Sequence, residues 1–173
     1  RGVGIGTQNI HFEKKGAFTG ENSPEAAKAA GCEWALVGHS ERRSLFGETD
    51  LITAKKMKLA LECGLKPMLC VGESLDERTA GETMKVVERQ LTVGLGVMTD
   101  ADWASVTIAY EPVWAIGTGK VATPEQASEV HTAIRAWLER RAGADVAAAM
   151  PILYGGSAKP ENFREIASQK NID

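Results

Sequence analysis

The sequence lacks the features that mark several special classes of protein. It contains no continuous apolar run of membrane-spanning length, and its N-terminus lacks the pattern of a secretory signal peptide. It has no stripe of Lys and Arg interleaved with aromatic residues, and its formal net charge is −3 at pH 7. These absences predict a cytoplasmic protein that binds neither a membrane nor a nucleic acid.

Cysteine is also scarce, and its spacing argues against two common frameworks. The three cysteines, Cys32, Cys63 and Cys70, are odd in number, and no pair has the CxxC spacing. We therefore expect reduced thiols buried in a core, with neither a disulfide framework nor a zinc site. The composition is otherwise ordinary, with 43% hydrophobic and 25% charged residues among 173, which suffices for one sizeable core in a single domain, residues 1–173.

Short apolar runs alternate with segments of helical apolar spacing along the chain. The runs predict five strands, at Val3–Ile5, Trp34–Val37, Met68–Val71, Val106–Ala109 and Ile152–Tyr154. The predicted helices are Pro24–Ala30 closed by Gly31, Leu51–Cys63 after a cap at Asp50, Glu82–Leu95, Thr123–Arg141 and Pro160–Ser168. At the fourth helix, Thr123 and Gln126 can form a capping box, and Pro124 suits the first helical position. The alternation predicts an α/β fold with a parallel sheet, either a (β/α) barrel or a doubly wound sheet.

Polar residues follow directly after the predicted strands, and their position favours the barrel. They are Gln8-Asn9, Gly38-His39-Ser40-Glu41, Gly72-Glu73, Glu111 and Gly155-Gly156-Ser157. In a barrel, the carboxyl ends of the strands form the active-site face. A dinucleotide-binding sheet would instead carry GxGxxG between its first strand and a helix. The glycines at 2, 4 and 6 fall within the predicted first strand and open no helix, so we interpret them as a false match.

The segment from Ala109 to Lys120 joins a carboxylate to a loop of Pro, Trp, Gly and Thr. Glu111 ends an apolar run and can act as a base, while the following loop can close, exclude water and offer backbone N–H groups to an anion. Glu before Pro is usually just a polar strand end. The large apolar side chain of Trp114 indicates instead a loop that packs differently when open and when closed.

Four long motifs, taken in order, closely resemble the triosephosphate isomerase family. They are Gly38-His39-Ser40-Glu41-Arg42-Arg43, Cys70-Val71-Gly72-Glu73, Ala109 to Lys120, and Tyr154-Gly155-Gly156-Ser157. The resemblance runs from about residue 3 to the end of the chain. It implies a (β/α)8 TIM barrel that is incomplete in this chain, with strands 3 to 7 of eight. The family's first-strand lysine and its eighth-strand glycine pair have no match here, so we expect a fragment that is inactive alone.

The resemblance also implies a reaction and roles for particular residues. The family interconverts dihydroxyacetone phosphate and D-glyceraldehyde 3-phosphate, a glycolytic and gluconeogenic step, through an enediolate and without a cofactor or metal. Glu111 would be the base, and His39, at a helix N-terminus, a neutral hydrogen-bond donor and proton shuttle. Glu41 would lie beside the family's active-site lysine. The phosphate would be bound by Gly117, Gly155, Gly156 and Ser157.

A lid and a subunit contact complete what the resemblance implies. The lid would run from Pro112 to Ala122 and include Trp114, Thr118, Gly119 and Lys120. Tyr154 and Ser157 would latch it when closed. A loop containing Phe18, Thr19 and Gly20 would reach across the interface of a homodimer in the full-length protein.

Two other interpretations stay open. The chain can be a non-catalytic fragment that binds phosphate weakly or associates with a partner, or a different phosphate-binding barrel enzyme, for which the lid motif would need another explanation. His11 and His131 lack any motif context, so we interpret them as structural histidines. Cys70 is expected to pack behind the site and not to act as a nucleophile.

Overall fold

The computed structural model describes residues 2–116, 118 and 120–173. Five strands form one sheet in chain order: β1 (Gly6–Thr7), β2 (Trp34–Val37), β3 (Lys66–Val71), β4 (Thr107–Tyr110) and β5 (Ile152–Tyr154). The helices are α1 (Pro24–Ala29), α2 (Ser40–Leu45), α3 (Asp50–Glu62), α4 (Leu75–Thr79), α5 (Thr83–Gly94), α6 (Pro124–Ala142), α7 (Ala144–Ala149) and α8 (Phe163–Ala167). The predicted α/β architecture is confirmed. The chain divides into two compact units, one running up to Leu69 and including Thr92–Thr107, the other comprising Cys70–Leu91 and Ile108–Asp173.

In the first unit, β2 pairs in parallel with β1 and with β3, so that Trp34 lies opposite both Gly6 and Lys66. A small apolar core forms beside these strands from Ile10, Ala35, Ala60 and Leu65. The predicted first strand is wrong, because the strand lies at Gly6–Thr7 and the side chains of Val3 and Ile5 are 92% and 60% exposed. Glycine permits the strand to begin there, since a Cβ atom on Gly6 would lie only 3.1 Å from Cβ of Trp34.

The start of α3 also differs from the prediction. Thr49, not Asp50, is the N-cap, and its side chain accepts a hydrogen bond from the N–H of Ile52 at 3.3 Å. Asp50 is the first helical residue, and its carboxylate binds the guanidinium of Arg43. Thr and Asp are both common N-cap residues. Here the side chain of Asp50 pairs with Arg43, and Thr49 caps the helix.

In the second unit, β4 and β5 pair in parallel, with Tyr110 opposite Tyr154. The capping box of Thr123 and Gln126, with Pro124 in the first turn, is confirmed at α6. The last helix is shorter than predicted because the Asn162 side chain closes a turn before it. Asn162 accepts from the N–H of Lys159 at 2.7 Å and donates to the carbonyl of Ser157 at 3.0 Å. The short helices α4 and α7 were not predicted.

None of the three cysteines forms a disulfide, and Cys70 is buried, whereas Cys32 and Cys63 are half-buried. The expectation that all three are buried is therefore wrong for two of them. In the described part of the chain, no helix is both long and apolar enough to cross a membrane.

Candidate active site

Glu111 occupies the position directly after β4, and the residue is only 4% exposed. Its backbone N–H donates to the carbonyl of Val71, at the end of β3, at 2.7 Å. On the other side, the N–H of Gly155 donates to the carbonyl of Tyr110 at 2.7 Å. The backbone that carries this carboxylate is therefore hydrogen-bonded to both neighbouring chain segments, at the carboxyl ends of β3, β4 and β5.

Three glycines enclose this strand end. A Cβ atom on Gly72 would overlap the carbonyl oxygen of Glu111, and one on Gly155 would lie 3.0 Å from Cγ of Glu111. A Cβ atom on Gly156 would overlap the hydroxyl of Tyr154. The sequence analysis assigned Gly155 and Gly156 to phosphate binding. The structure adds a separate reason for small residues here, since a Cβ atom on Gly72 or Gly155 would crowd the predicted base.

A buried carboxylate that the sequence analysis gave no role supports the start of the predicted lid. Glu73 is fully buried and accepts hydrogen bonds from Nε1 of Trp114 at 2.8 Å, from the hydroxyl of Tyr110 at 3.1 Å and from Nη1 of Arg78 at 3.0 Å. Burial, and then the charge of Glu73, raise the pKa of Tyr110. The guanidinium of Arg78 also lies 4.8 Å from the ring centre of Trp114. Trp114 is thus anchored through both its indole N–H and its ring face.

The predicted lid begins at Pro112 and forms a 3₁₀ turn at Val113–Ala115. The hydroxyl of Thr118 donates to the carbonyl of Trp114 at 2.8 Å, and the hydroxyl of Ser157 donates to the carbonyl of Ala115 at 3.3 Å. Ser157 therefore contacts the predicted lid, and its latch role stays a prediction. Lys120 is exposed. Gly117 and Gly119, both predicted to belong to the lid, lie outside the described residues.

The ring of Tyr154, the other predicted latch residue, packs against a small apolar cluster formed by Trp114, Ala115 and Ala122. Its hydroxyl is buried and has no hydrogen-bond partner among the described residues. Burial raises the pKa of Tyr154, so the hydroxyl keeps its hydrogen at neutral pH. Tyr154 thus contacts the lid through its ring.

In the first unit, His39 is the N-cap of α2, and its Nδ1 accepts a hydrogen bond from the N–H of Glu41 at 3.3 Å. Because a backbone N–H can only donate, Nδ1 of the neutral ring carries no hydrogen and the proton lies on Nε2. In this tautomer His39 presents an Nε2–H donor, and its role toward the substrate stays a prediction. Glu41 follows in the first turn of α2 and is exposed.

The turn before His39 rests on a buried charge cluster that the sequence analysis missed. Glu48 accepts from Nζ of Lys56 at 2.6 Å, from Nε of Arg42 at 3.3 Å and from the N–H of Gly38 at 3.2 Å. Nζ of Lys56 also donates to Oδ1 of Asn9 at 2.7 Å. The side chains of Glu48 and Lys56 are 2% and 3% exposed. The sequence feature that could have indicated this cluster is Lys56, a lysine on the apolar face of α3 next to Met57.

The predicted subunit loop lies on the surface of the first unit. Phe18 is 40% exposed, Thr19 and Gly20 are exposed, and Gly20 has a left-handed backbone with φ of 93°. The ring centroids of Phe18 and His11 lie 4.1 Å apart. The homodimer itself stays a prediction.

A metal site does not emerge from the geometry. Among residues 2–116, 118 and 120–173, no group of three or more His, Cys, Asp or Glu side chains is arranged to hold a metal ion. The expectation that the chain uses neither a metal nor a cofactor stays a prediction.

Comparison with known proteins identifies the family. The family model of triosephosphate isomerase matches residues 1–173. The triosephosphate isomerase of Carboxydothermus hydrogenoformans is 50% identical over 171 residues, covering 99% of this chain and 68% of the relative. That of Emericella nidulans is 48% identical, with 99% and 69% coverage, and the chloroplastic one of Secale cereale is 50% identical, with 99% and 57% coverage. The matched family, the five-stranded α/β sheet and the order of the motifs agree, and the chain belongs to the triosephosphate isomerase family.

Proposed function

We propose that the protein interconverts dihydroxyacetone phosphate and D-glyceraldehyde 3-phosphate by moving one proton between neighbouring carbons. The observation that carries the proposal is the nearly complete burial of the Glu111 carboxylate at the end of β4. A buried carboxylate is costly to maintain, and in a cleft it is a strong candidate for a base. Membership of the family supports this reaction in particular.

In the forward reaction, the carboxylate of Glu111 removes a proton from the carbon beside the ketone. The electron pair of the broken C–H bond forms a carbon–carbon double bond, and the carbonyl oxygen becomes the enediolate oxygen. The Nε2–H of His39 donates a hydrogen bond to the substrate oxygens and carries protons between them. Glu111 then returns its proton to the neighbouring carbon, so atoms and charge balance without any cofactor. Glu41 acts indirectly, beside the lysine of the family's first strand.

The substrate phosphate is held by backbone N–H groups of Gly155 and Gly156 and by Ser157, with the N–H of Gly117 added when the lid closes. Closure of the segment from Pro112 to Ala122 excludes water from the enediolate, which would otherwise lose phosphate. The contact of Ser157 with Ala115 and the packing of Tyr154 on the lid support this assignment. Full-length protein works in the cytoplasm as a homodimer, with Phe18, Thr19 and Gly20 at the subunit contact.

The test uses residues 1–173 joined to the segments of the Carboxydothermus relative that have no counterpart here, hereafter the completed protein. We expect it to isomerise triose phosphate, and Glu111→Gln to reduce kcat by roughly 10² to 10⁴, because the amide keeps the shape but accepts no proton. Glu129→Gln, at an exposed site on α6, is the matched control and should leave kcat unchanged. Near-normal turnover by Glu111→Gln would exclude Glu111 as the base. A completed protein that folds but shows no turnover would favour the non-catalytic alternative.

A further inference from the structure

We propose that His131 is a positioning residue for Tyr154, with its Nε2 accepting the hydrogen of the Tyr154 hydroxyl through one bridging water molecule. The interaction orients the hydroxyl of a side chain that packs against the predicted lid. The role of Tyr154 as a lid latch rests on the proposed function. The proposed interaction between the two side chains does not depend on that function. Both residues belong to the second unit, on α6 and β5.

The orientation and tautomer of the His131 ring are determined by its neighbours. The side chain is fully buried, and Nδ1 lies 3.0 Å from the carbonyl oxygen of Asn171. A carbonyl only accepts, so Nδ1 carries the hydrogen, and Nε2 of the neutral ring is an acceptor. Asn171 is itself held to α6, because its side-chain amide donates to the hydroxyl of Thr132 at 3.1 Å.

The ring is neutral under ordinary conditions. Burial lowers the pKa of His131 to about 4, although the hydrogen bond to Asn171 and the charge of Asp173 act in the opposite direction. The positive charge of Arg135, on the same helix, lowers the pKa further. Nε2 therefore keeps its lone pair at neutral pH, and it is buried without a hydrogen-bond partner among the described residues.

Tyr154 offers the complementary group. Its ring centroid lies 6.5 Å from that of His131, with the planes at 37°, and its buried hydroxyl also has no partner in the described part of the chain. One group is an acceptor and the other a donor, and buried polar groups are normally paired, either directly or through ordered water. No direct hydrogen bond joins them, and a single water that bonds to both would pair each group.

The neighbouring tyrosine does not compete for this interaction. The ring of Tyr110 lies edge-on to His131, with centroids 5.8 Å apart and an interplanar angle of 84°. Its hydroxyl donates instead to Glu73, which also binds Arg78. Because Nε2 carries no hydrogen, it cannot donate to the Tyr110 ring either.

The consequence concerns the lid. A Cβ atom on Gly156 would overlap the hydroxyl of Tyr154, and the ring packs on Trp114, Ala115 and Ala122. A hydroxyl held by His131 fixes the ring that packs on the lid, so less rotational freedom is lost when the lid closes over the substrate. Loss of the Nε2 acceptor should therefore weaken binding of the phosphorylated substrate while leaving the proton transfer by Glu111 intact.

The first experiment measures the side-chain ¹⁵N resonances of the histidines in the completed protein, with His131→Asn used to assign His131. We expect a protonated Nδ1 and an unprotonated Nε2 in His131. Tyr154→Phe, which leaves His131 itself unchanged, should shift its Nε2 resonance and leave those of His11 and His39 in place. A protonated Nε2, or an Nε2 resonance that Tyr154→Phe does not move, would overturn the proposal. This measurement does not depend on isomerase activity.

The second experiment compares kinetics in the same protein. His131→Asn keeps an amide N–H for the Asn171 carbonyl but removes the acceptor, whereas His131→Gln places an amide oxygen near the position of Nε2. We expect His131→Asn to raise KM for triose phosphate about three- to tenfold, the effect of one hydrogen bond, with kcat little changed, and Tyr154→Phe, which removes the latch hydroxyl itself, to weaken catalysis at least as much. The double variant should show no further increase, and His131→Gln should restore part of the loss. Additive effects in the double variant would contradict the proposal. Absence of turnover in the unsubstituted protein would instead contradict the proposed function.

Discussion

At the scale of single residues, the space around Glu111 dictates its neighbours. Gly72 and Gly155 come from different strand ends, and each lies so close to Glu111 that a Cβ atom would touch it. Neither glycine has a left-handed backbone, so the requirement is for room and not for conformation. These two positions connect the packing of the strand ends directly to the placement of the predicted base.

Gly72→Ala should therefore disturb both stability and activity. The added Cβ would overlap the carbonyl oxygen of Glu111, which is backbone and cannot rotate away. We expect the free energy of unfolding to fall by about 1–3 kcal/mol or more, the usual cost of overpacking, and kcat of the completed protein to fall with it. Urea unfolding and a coupled isomerase assay measure the two effects. Gly2→Ala, at a position with no neighbouring atom within 4 Å, is the control, and equal effects of both substitutions would contradict this explanation.

His131 makes stability depend on acidity. Its pKa lies near 4 in the folded protein, below the ordinary value of 6.5, because burial disfavours the charged ring. The unfolded chain therefore binds a proton first, and stability that is full above pH 6.5 is lost as the pH falls toward 4. We expect this residue to remove about 2–3 kcal/mol of unfolding free energy between pH 7 and pH 4.5.

Urea unfolding of the unsubstituted protein and of His131→Asn at both pH values tests this dependence. The variant should lose less stability on acidification, because Asn does not titrate. His11→Asn, which replaces a histidine on the first unit, serves as the comparison. An identical pH dependence in His131→Asn and the unsubstituted protein would refute the assignment.

At the scale of secondary-structure elements, the turn between β2 and α2 is stabilised from α3. The N–H of Gly38, whose φ is 74°, donates to Glu48, and its carbonyl accepts from Nε of Arg43 at 2.7 Å. Glu48 is in turn paired with Lys56, a buried lysine of α3. The position of His39 at the N-terminus of α2 thus depends on a buried ion pair that contacts no substrate.

Glu48→Gln should strongly destabilise the protein, because it leaves the Lys56 ammonium buried with only a neutral partner. Breaking a buried ion pair on one side typically costs about 3–5 kcal/mol. The matched control is Glu82→Gln, which breaks the exposed pair of Glu82 with Lys85 and should change stability far less, because solvent screens an exposed pair. Urea unfolding at pH 7 measures both variants. A loss for Glu48→Gln no greater than that of the control would show that the buried pair is not stabilising.

At the scale of the whole molecule, the 173 residues correspond to about two thirds of the length of the first two relatives compared above. The segments of those relatives without a counterpart here would, by resemblance, supply the lysine of the first strand and the glycine pair of the eighth. That residues 1–173 form one domain stays a prediction, as does the homodimer.

The 173-residue polypeptide, produced by itself, should show no appreciable isomerase activity. Loss of one preorganised electrostatic donor reduces kcat by roughly 10² to 10³, and two such elements are missing from this polypeptide. Unpaired strand edges should also promote association or aggregation. Size-exclusion chromatography and a coupled assay, before and after adding the missing segments as a separate polypeptide, measure these properties. Activity of the polypeptide alone that Glu111→Gln abolishes would contradict the prediction.

The sequence by itself determined the features that depend on residues close together in the chain. Thr123, Pro124 and Gln126 lie within one helical turn, so their capping box at α6 could be predicted from spacing. His39 precedes Ser40 and Glu41 directly, and its place at a helix N-terminus followed from that order. The family motifs are likewise continuous, which is why the sequence alone indicated the family.

Only the tertiary structure decided the interactions between distant residues. Trp114 and Glu73 are 41 positions apart, and Lys56 and Asn9 are 47 positions apart. Glutamate and lysine usually lie in solvent, so Glu73 was not expected to be buried, and the apolar face that carries Lys56 did not identify its distant partners. The first strand was misplaced for a related reason, because the apolar side chains of Val3 and Ile5 resemble those of a buried strand while their exposure depends on what packs against them. Burial is a property of the neighbours that the fold supplies, and a linear pattern does not contain it.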